Sequence, residues 1–182
     1  MADTSPNNRN EMSTGTSRDK ARWKAPVLCL LVGILLGAGI TAFAGWKAMP
    51  SMMLTVHESN YPDVAQTCEE LKKSIEANGW QCPAIRDMNK SMAKHGVDFD
   101  RPVRIVELCK ADYAKRVLST NPEVSTLMPC AWGVYEGADG KVYISGMNMG
   151  LMGKMFGGTI AEVMGGQVSA DEHKILKSVV KP

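Results

Sequence analysis

The chain has 182 residues, of which 45% are hydrophobic and 22% charged, and its formal net charge at pH 7 is +2. This length allows one domain with a hydrophobic core. After Lys47 the sequence carries 15 Lys and Arg residues against 16 Asp and Glu residues. This part therefore has no basic excess with which to attract nucleic acid. We expect a single domain that does not bind nucleic acid.

The N-terminal quarter of the chain has the composition of a membrane anchor. Residues 1–24 hold few large apolar side chains and are predicted to form a disordered cytoplasmic tail. Residues 25–46 carry no charge, and a helix of this length spans roughly 33 Å, close to the apolar thickness of a bilayer. Basic residues precede this segment, which predicts a single-pass protein of the cytoplasmic (inner) membrane with its N-terminus inside. Residues 47–51 would be a linker, and residues 52–182 a periplasmic, extracytoplasmic domain.

A cleaved signal peptide is the rival interpretation of the same segment. Residues 42–44 form an Ala-x-Ala triplet, which a signal peptidase could cleave after Ala44. The apolar run is longer than the core of a typical signal peptide, which favours an uncleaved anchor.

The sequence pattern of residues 52–182 predicts an α+β domain with an antiparallel sheet. Alternation and turn residues predict strands at 52–57, 80–86, 103–109, 130–136 and 141–147. Helices are predicted between Pro62 and Asn78, at 87–95 and 111–118, through an apolar stripe at 151–164, and from a Ser169–Glu172 capping box to Val180. The order of strand, helix, four strands and helix places the helices on one face of the sheet.

Two segments resemble the bacterial and archaeal domain-of-unknown-function family 302: MLTVHESNYPDVAQTCEELKKSIEANGWQC and the hairpin MPCAWGVYEGADGKVYIS. The resemblance covers about residues 52–182. It implies a compact strand–helix–four-strand–helix fold, similar to half of a TATA-binding protein, and a tendency to form homodimers. Because the family has no established activity, it implies no catalytic residues. The stretch MNMGLMGKMFGGTIAEVMGG, together with Cys109 and Cys130, resembles a variant group within the family.

Four cysteines lie outside the apolar segment: Cys68, Cys82, Cys109 and Cys130. An even number in an oxidising compartment permits two disulfides. Cys68 on the inner helix face and Cys82 on the following strand are a possible disulfide, or two buried thiols. The sequence contains no CxxC or CxxCH motif, so neither a thioredoxin-type centre nor covalently attached haem is predicted.

The predicted hairpin brings sulfur residues together at one end of the sheet. A two-residue or four-residue turn places Cys130 opposite Met147. Cys109 ends the preceding strand and lies at the same end if the two strands are neighbours. Met128 and Met149 are close by in sequence. These five residues are the predicted metal or thiol site.

Three interpretations of this cluster remain open. The first is a Cys109–Cys130 disulfide, or buried thiols beside core methionines. The second is a Cu(I) site, because thiolate and thioether ligands select soft metals. The third is a redox-active or sulfur-carrying cysteine, with Lys110 and a helix start near Ala111 stabilising negative charge on Cys109.

The stretch after the last strand combines methionines with closely spaced glycines. Glycine at this density lets another backbone approach closely, and the methionines form more apolar surface than one loop usually exposes. The predicted interaction surface comprises Met152, Gly153, Met155, Phe156 and Gly157. It would bind a second copy of the chain or a membrane protein complex.

No catalytic or phosphate-binding motif is present in the sequence, and His57, His95 and His173 lack metal-ligand spacing. The leading hypothesis is a membrane-anchored, non-enzymatic accessory or binding module with Cu(I) as a candidate ligand. The alternative hypothesis is a thiol or sulfur redox or carrier protein that uses Cys109 and Cys130.

Overall fold

The computed structural model describes the backbone of residues 18–182 and the side chains of residues 26–45 and 51–182. The chain divides into two compact units, Met1–Lys47 and Ala48–Pro182.

One long helix, α1 (Arg18–Met53), precedes the domain. It begins within the predicted disordered tail, of which residues 1–17 lie outside the described part of the chain. Lys, Arg and Ala favour helix, which explains why α1 extends beyond its apolar segment. Within it, Pro26–Gly45 is long and apolar enough to be a membrane anchor or a signal sequence. The helix also continues through residues 47–51, where the sequence predicts a linker.

The second unit is an α+β domain, as predicted. Its strands are β1 (Leu54–Glu58), β2 (Ile85–Asp87), β3 (Val103–Leu108), β4 (Cys130–Glu136) and β5 (Val142–Met147). They form one antiparallel sheet in the order β1-β5-β4-β3-β2. Strand β2 is much shorter than predicted because Pro83 has no N–H to donate to the ladder.

The helices of the domain are α2 (Val64–Ala77), α3 (Met88–Ala93), α4 (Ala111–Thr120), α5 (Met149–Phe156), α6 (Gly158–Ile160) and α7 (Ser169–Leu176). A 3-10 helix at Pro122–Leu127 and a π-helix at Ala161–Val168 complete the set. Helix α2 starts where Asp63 accepts a hydrogen bond from the Gln66 N–H at 2.7 Å. Its apolar face, with Leu71 and Ile75 fully buried, packs against β3 and β4.

The turn between β4 and β5 differs from both predicted turn lengths. The Gly137 N–H donates to the Lys141 carbonyl at 2.8 Å, which encloses a turn of three residues, 138–140. Gly140 in this turn has a φ of 74°, a left-handed conformation that glycine adopts without strain. Three-residue hairpin turns with glycine in this conformation are common.

The altered turn shifts the register of the hairpin by one residue. Trp132 pairs with Gly146, so continuing the ladder places Ala131, and not Cys130, opposite Met147. A shift of one residue moves a side chain to the other face of a strand. Cys130 and Trp132 belong to the buried set of β4, whereas Met147 belongs to the less buried set of β5. The predicted pairing of Cys130 with Met147 is wrong.

The C-terminal helices are continuous, and the predicted capping box is wrong. Ser169 has helical torsion angles (φ −57°, ψ −40°) and follows the π-helix without a break. Glu172 is only 9% exposed and accepts no capping hydrogen bond. The capping box fails because no free helix N-terminus exists at Ser169 for Glu172 to cap.

Helix α5 and the π-helix touch through their backbones. A Cβ atom built on Gly153 would lie 2.5 Å from the Cα atom of Gly165, a distance that packed carbon atoms do not tolerate. This contact accounts for part of the glycine density in the sequence, because a side chain at Gly153 would push the two helices apart.

We predict that Gly153→Ala destabilises the domain by about 1–3 kcal/mol, as an overpacked core does. Gly150→Ala is the matched control on the same helix, because a Cβ there would meet its nearest atom at 3.5 Å. The Gly150→Ala substitution should leave the free energy of unfolding unchanged, or raise it by up to about 1 kcal/mol because alanine favours helix more than glycine does. Urea denaturation followed by circular dichroism measures both. Equal stability of the two variants would contradict the close contact.

Candidate functional site

Sulfur residues converge on one small cavity between α4, the π-helix and the ends of β3 and β4. Its volume is about 20 Å³, and its lining includes Cys109, Cys130, Met128 and Met164. A space of this size holds one water molecule or one ion of similar size. We call it the sulfur cavity.

Strand ends and the π-helix position these side chains. Cys130 opens β4 opposite Leu108 and faces the core. Cys109 follows β3 and is fixed by two backbone hydrogen bonds to Gln81, each 2.9 Å long. Met164 is 2% exposed on the π-helix, so its thioether belongs to the core layer that covers Cys130.

The structure brings together three of the five predicted sulfur residues. Cys109, Cys130 and Met128 share the sulfur cavity. Met147 is excluded by the register of the hairpin, and Met149 begins α5 and lines a different cavity. Met164 joins the cluster without any local sequence signal, because only the tertiary packing of the π-helix brings it to the cavity that Cys130 lines.

The two thiols of the cavity are free in the structure, and they differ in burial. Burial raises the pKa of Cys130 to about 12, with smaller contributions from the charges of Glu172 and Cys109. Cys130 is therefore a neutral thiol at neutral pH and a poor nucleophile. A bound metal ion reverses this preference, because coordination removes the proton from a thiol.

A polar network adjoins the sulfur cavity and is centred on Asp171. Its Oδ2 atom accepts hydrogen bonds from Lys110 Nζ (3.0 Å), Trp80 Nε1 (3.2 Å) and Tyr113 Oη (3.2 Å), and its Oδ1 atom accepts one from Lys174 Nζ (3.1 Å). The Lys110 ammonium also lies 4.5 Å from the centre of the Tyr113 ring, within range of a cation–π interaction. Trp80, Lys110 and Tyr113 line the sulfur cavity as well, so the network forms one of its walls.

The network holds Asp171 ionised. Burial alone would raise the pKa of this carboxyl, but hydrogen bonds from Lys110, Lys174 and Trp80 lower it to about 2. Of the two lysines, Lys110 lines the sulfur cavity, whereas the Lys174 side chain is 66% exposed, so water screens its charge. A Cu(I) ion bound by two thiolates carries a charge of −1, and the Lys110 ammonium would attract it.

Other metal chemistry has less support. Among the side chains that the structure describes, residues 26–45 and 51–182, no group of three or more His, Cys, Asp or Glu is arranged to hold a metal ion. Zinc and calcium sites are built mainly from such groups. A metal in the sulfur cavity would depend on methionine thioethers, which select soft ions.

Cys68 and Cys82 are also free thiols in the structure, and their disulfide stays a prediction. Burial raises the pKa of Cys68 to about 11, although the nearby Arg104 lowers it. Burial also raises the pKa of Cys82. Both are therefore protonated thiols, which suits packing rather than nucleophilic chemistry.

The predicted interaction surface is only partly a surface. Met152 is 8% exposed and Gly153 is buried, because this side of α5 packs against the π-helix. Met155 and Phe156 are 66% and 56% exposed, and Gly157 ends the helix with a φ of 70°. The exposed pair borders an apolar groove of about 230 Å³, lined by Met53, Leu127, Met147, Asn148, Leu151, Met152, Met155 and Phe156. We call this the apolar groove.

The polar and aromatic side chains that surround the thiols could not be predicted from local sequence patterns. Trp80, Tyr113 and Asp171 lie far apart in sequence and meet only through side-chain contacts in the folded domain. The sole local signal was Asp171 in the first turn of a predicted helix, which is ordinarily an exposed position.

We predict that Asp171→Asn lowers stability at neutral pH by on the order of 2 kcal/mol, from the difference between its pKa of about 2 and the ordinary value of 3.8. The depressed pKa stabilises the fold above pH 3.8, and this contribution is lost as the pH falls towards 2. The difference between wild type and variant should shrink over that interval in denaturation curves. Asp100→Asn, at an exposed position, is the control and should change stability little. If Asp171→Asn is as stable as wild type at pH 7, the claim that the hydrogen bonds to Asp171 stabilise the fold is wrong.

Comparisons with known proteins identify the domain. The family described as "Domain of unknown function DUF302" matches residues 55–179. A similar fold occurs in the crystal structure of an uncharacterized conserved DUF302 protein from Bacillus stearothermophilus, with a TM-score of 0.61 and 21% identity over 69% of this chain and 97% of that chain. No curated protein matches the sequence. The chain belongs to the DUF302 family.

Proposed function

We propose that the chain is a membrane-tethered, non-enzymatic binding module that pairs with a second copy of itself through the apolar groove. One observation carries this proposal: Met155 and Phe156 expose most of their side chains directly beside an apolar groove of about 230 Å³. Large exposed apolar side chains of this kind mark interaction sites in soluble domains.

The shape of this surface supports self-association. A two-fold interface uses the same patch on both copies, so the patch must contain a projection and a recess that fit each other. Met155 and Phe156 supply the projection, and the groove beside them supplies the recess. Methionine side chains adapt to irregular partners, which suits a groove with four methionines in its lining.

The proposed tether supports the same pairing. Copies anchored by Pro26–Gly45 would lie in one membrane and present their domains on the same side. Such confinement raises the effective concentration of one copy near another. A modest apolar interface would then be sufficient for pairing.

We predict that Met155→Glu together with Phe156→Glu abolishes pairing, because each glutamate would bring an unpaired charge into an apolar interface. The pair fraction of full-length protein in lipid nanodiscs, measured by single-molecule photobleaching, should fall to the level of a monomer. Stability should change by less than about 0.5 kcal/mol, since both positions are exposed.

Phe99→Glu provides the matched control for this experiment. Phe99 is 40% exposed but does not line the apolar groove, so the control should pair like wild type. Monomeric wild-type protein, or pairing that survives the double substitution, would contradict the proposal.

A second candidate function is binding of Cu(I) in the sulfur cavity. It is favoured by the four sulfur-bearing residues around a space that fits one ion. It is also compatible with the Lys110 ammonium in the cavity wall, which would attract the negative charge of a Cu(I) ion bound by two thiolates. Because two thiols and two thioethers lie in the lining, a soft metal ion is the expected ligand.

We predict that the full-length protein binds one Cu(I) ion per chain in competition with a bathocuproine chelator. Replacing Cys109 and Cys130 together by Ser should abolish this binding, and Met128→Leu should weaken it. Cys82→Ser is the control, because Cys82 does not line the sulfur cavity. Equal copper binding by wild type and the double variant would refute the site. A reactive thiol at neutral pH without copper binding would favour thiol or sulfur redox chemistry instead.

A further inference from the structure

A large cavity lies beside α5, and residues 51–55 and the π-helix complete its wall. Its volume is about 710 Å³, within the range of small-molecule pockets. All of its described lining residues belong to the unit Ala48–Pro182. It shares no lining residue with the sulfur cavity. We call it the Lys154 cavity, after the charged residue in its wall.

The charge of this cavity is positive. Lys154 is the one charged residue among the described residues that line it. The side chain is exposed on α5, and no described carboxylate forms an ion pair with it. Glu162, an acidic residue of the π-helix, pairs instead with Arg116 at 2.6 Å. A wall with one cation and no carboxylate favours an anionic ligand.

The part of the wall that follows the proposed anchor is apolar and exposed. Met52 and Leu54 line the cavity, and they are 55% and 54% exposed. Apolar side chains beside a cation are typical of protein surfaces that bind lipid, because lipids combine an anionic headgroup with hydrocarbon chains. The cavity therefore suits an amphiphile better than a small hydrophilic anion.

Two glycines keep the cavity free of side chains. A Cβ atom on Gly150 would lie 3.5 Å from its nearest neighbour, and one on Gly166 would lie 3.9 Å away. Both distances are ordinary contacts, so packing within the domain does not require glycine at either position, although glycine is unfavourable within a helix. Both residues line the cavity, where a hydrocarbon chain could lie directly on the helix backbone.

We propose that the Lys154 cavity binds one anionic phospholipid, with the phosphate on the Lys154 ammonium and the hydrocarbon against Met52, Leu54 and the glycines. The proposal rests on the membrane tether of the proposed function. Ser51 lines the cavity and follows Gly45, the last residue of the apolar segment, by six positions. Six residues span at most about 22 Å, so a tethered domain keeps this cavity close to lipid at a high effective concentration.

The headgroup should be anionic rather than zwitterionic. A lysine ammonium binds phosphate as a point charge. The described lining contains no carboxylate that could bind the positive end of a zwitterionic headgroup. A phosphate group without hydrocarbon would leave the apolar wall exposed to water.

The test uses full-length protein in nanodiscs of phosphatidylcholine with a minor fraction of phosphatidylglycerol. Native mass spectrometry counts the lipids that stay bound to the chain. Phosphatidylglycerol should be retained in preference to phosphatidylcholine, at one molecule per chain. Lys154→Ala should reduce the retained phosphatidylglycerol by about fivefold, the contribution of one lysine near an anionic lipid surface.

Two further variants separate a site from general attraction between charges. Lys115→Ala removes the same charge from an exposed position on α4 outside the cavity, and it should retain lipid like wild type. Gly150→Leu fills the cavity without changing the charge, and it should reduce retention as Lys154→Ala does. The Met155→Glu and Phe156→Glu double variant should lose pairing but keep the lipid, because neither residue lines this cavity.

The outcomes distinguish this proposal from the proposed function. A chain that leaves the nanodiscs would overturn the tether and the lipid site together. A chain that stays in the nanodiscs would overturn the lipid site alone if it retains the two lipids equally, or if Lys115→Ala loses as much lipid as Lys154→Ala. Full retention by Gly150→Leu, or displacement of the lipid by inorganic phosphate, would also overturn it.

Discussion

The backbone contact between Gly153 and Gly165 determines how the helical layer is assembled. At this contact a Cβ atom on Gly153 would lie 2.5 Å from its neighbour, so α5 and the π-helix can approach only without side chains between them. The contact turns Met152 inward and leaves Met155 and Phe156 exposed on the other side of α5. The proposed docking surface is therefore a consequence of the packing that buries the rest of the stripe.

The adjacent residues Asp171 and Glu172 of α7 have pKa values shifted in opposite directions. Asp171 accepts hydrogen bonds from four side chains, whereas the buried Oε1 atom of Glu172 has no hydrogen-bond partner among the described residues. Consecutive helical residues point about 100° apart, so one carboxyl reaches the wall of the sulfur cavity and the other reaches a separate cavity. Burial raises the pKa of Glu172 to about 8, while hydrogen bonds from lysines outweigh burial at Asp171. At neutral pH the first carboxyl is therefore ionised and the second is mostly protonated.

Local patterns in the sequence predicted the element types well and the site poorly. The five strands and α2 follow from alternation, caps and turn residues, which act over a few positions. The hairpin register depended on one residue of turn length, and this single difference moved Met147 away from Cys130. The Ser169–Glu172 motif fits a capping box in sequence, but the π-helix continues into α7 and leaves no terminus to cap. The cluster of Trp80, Tyr113 and Asp171 arises from contacts between distant segments, and no local pattern reports it.

Photo-crosslinking from position 156 tests most directly the claim that this domain pairs through its apolar groove. Phe156→p-benzoylphenylalanine would place a photoreactive group on the exposed tip of α5 in full-length protein embedded in a membrane. Pairing through the apolar groove predicts a covalent dimer of the chain, whose cross-linked peptides contain groove residues of the second copy such as Leu127, Met147 or Leu151. Cross-links that reach only lipid, or that map outside the groove, would contradict it.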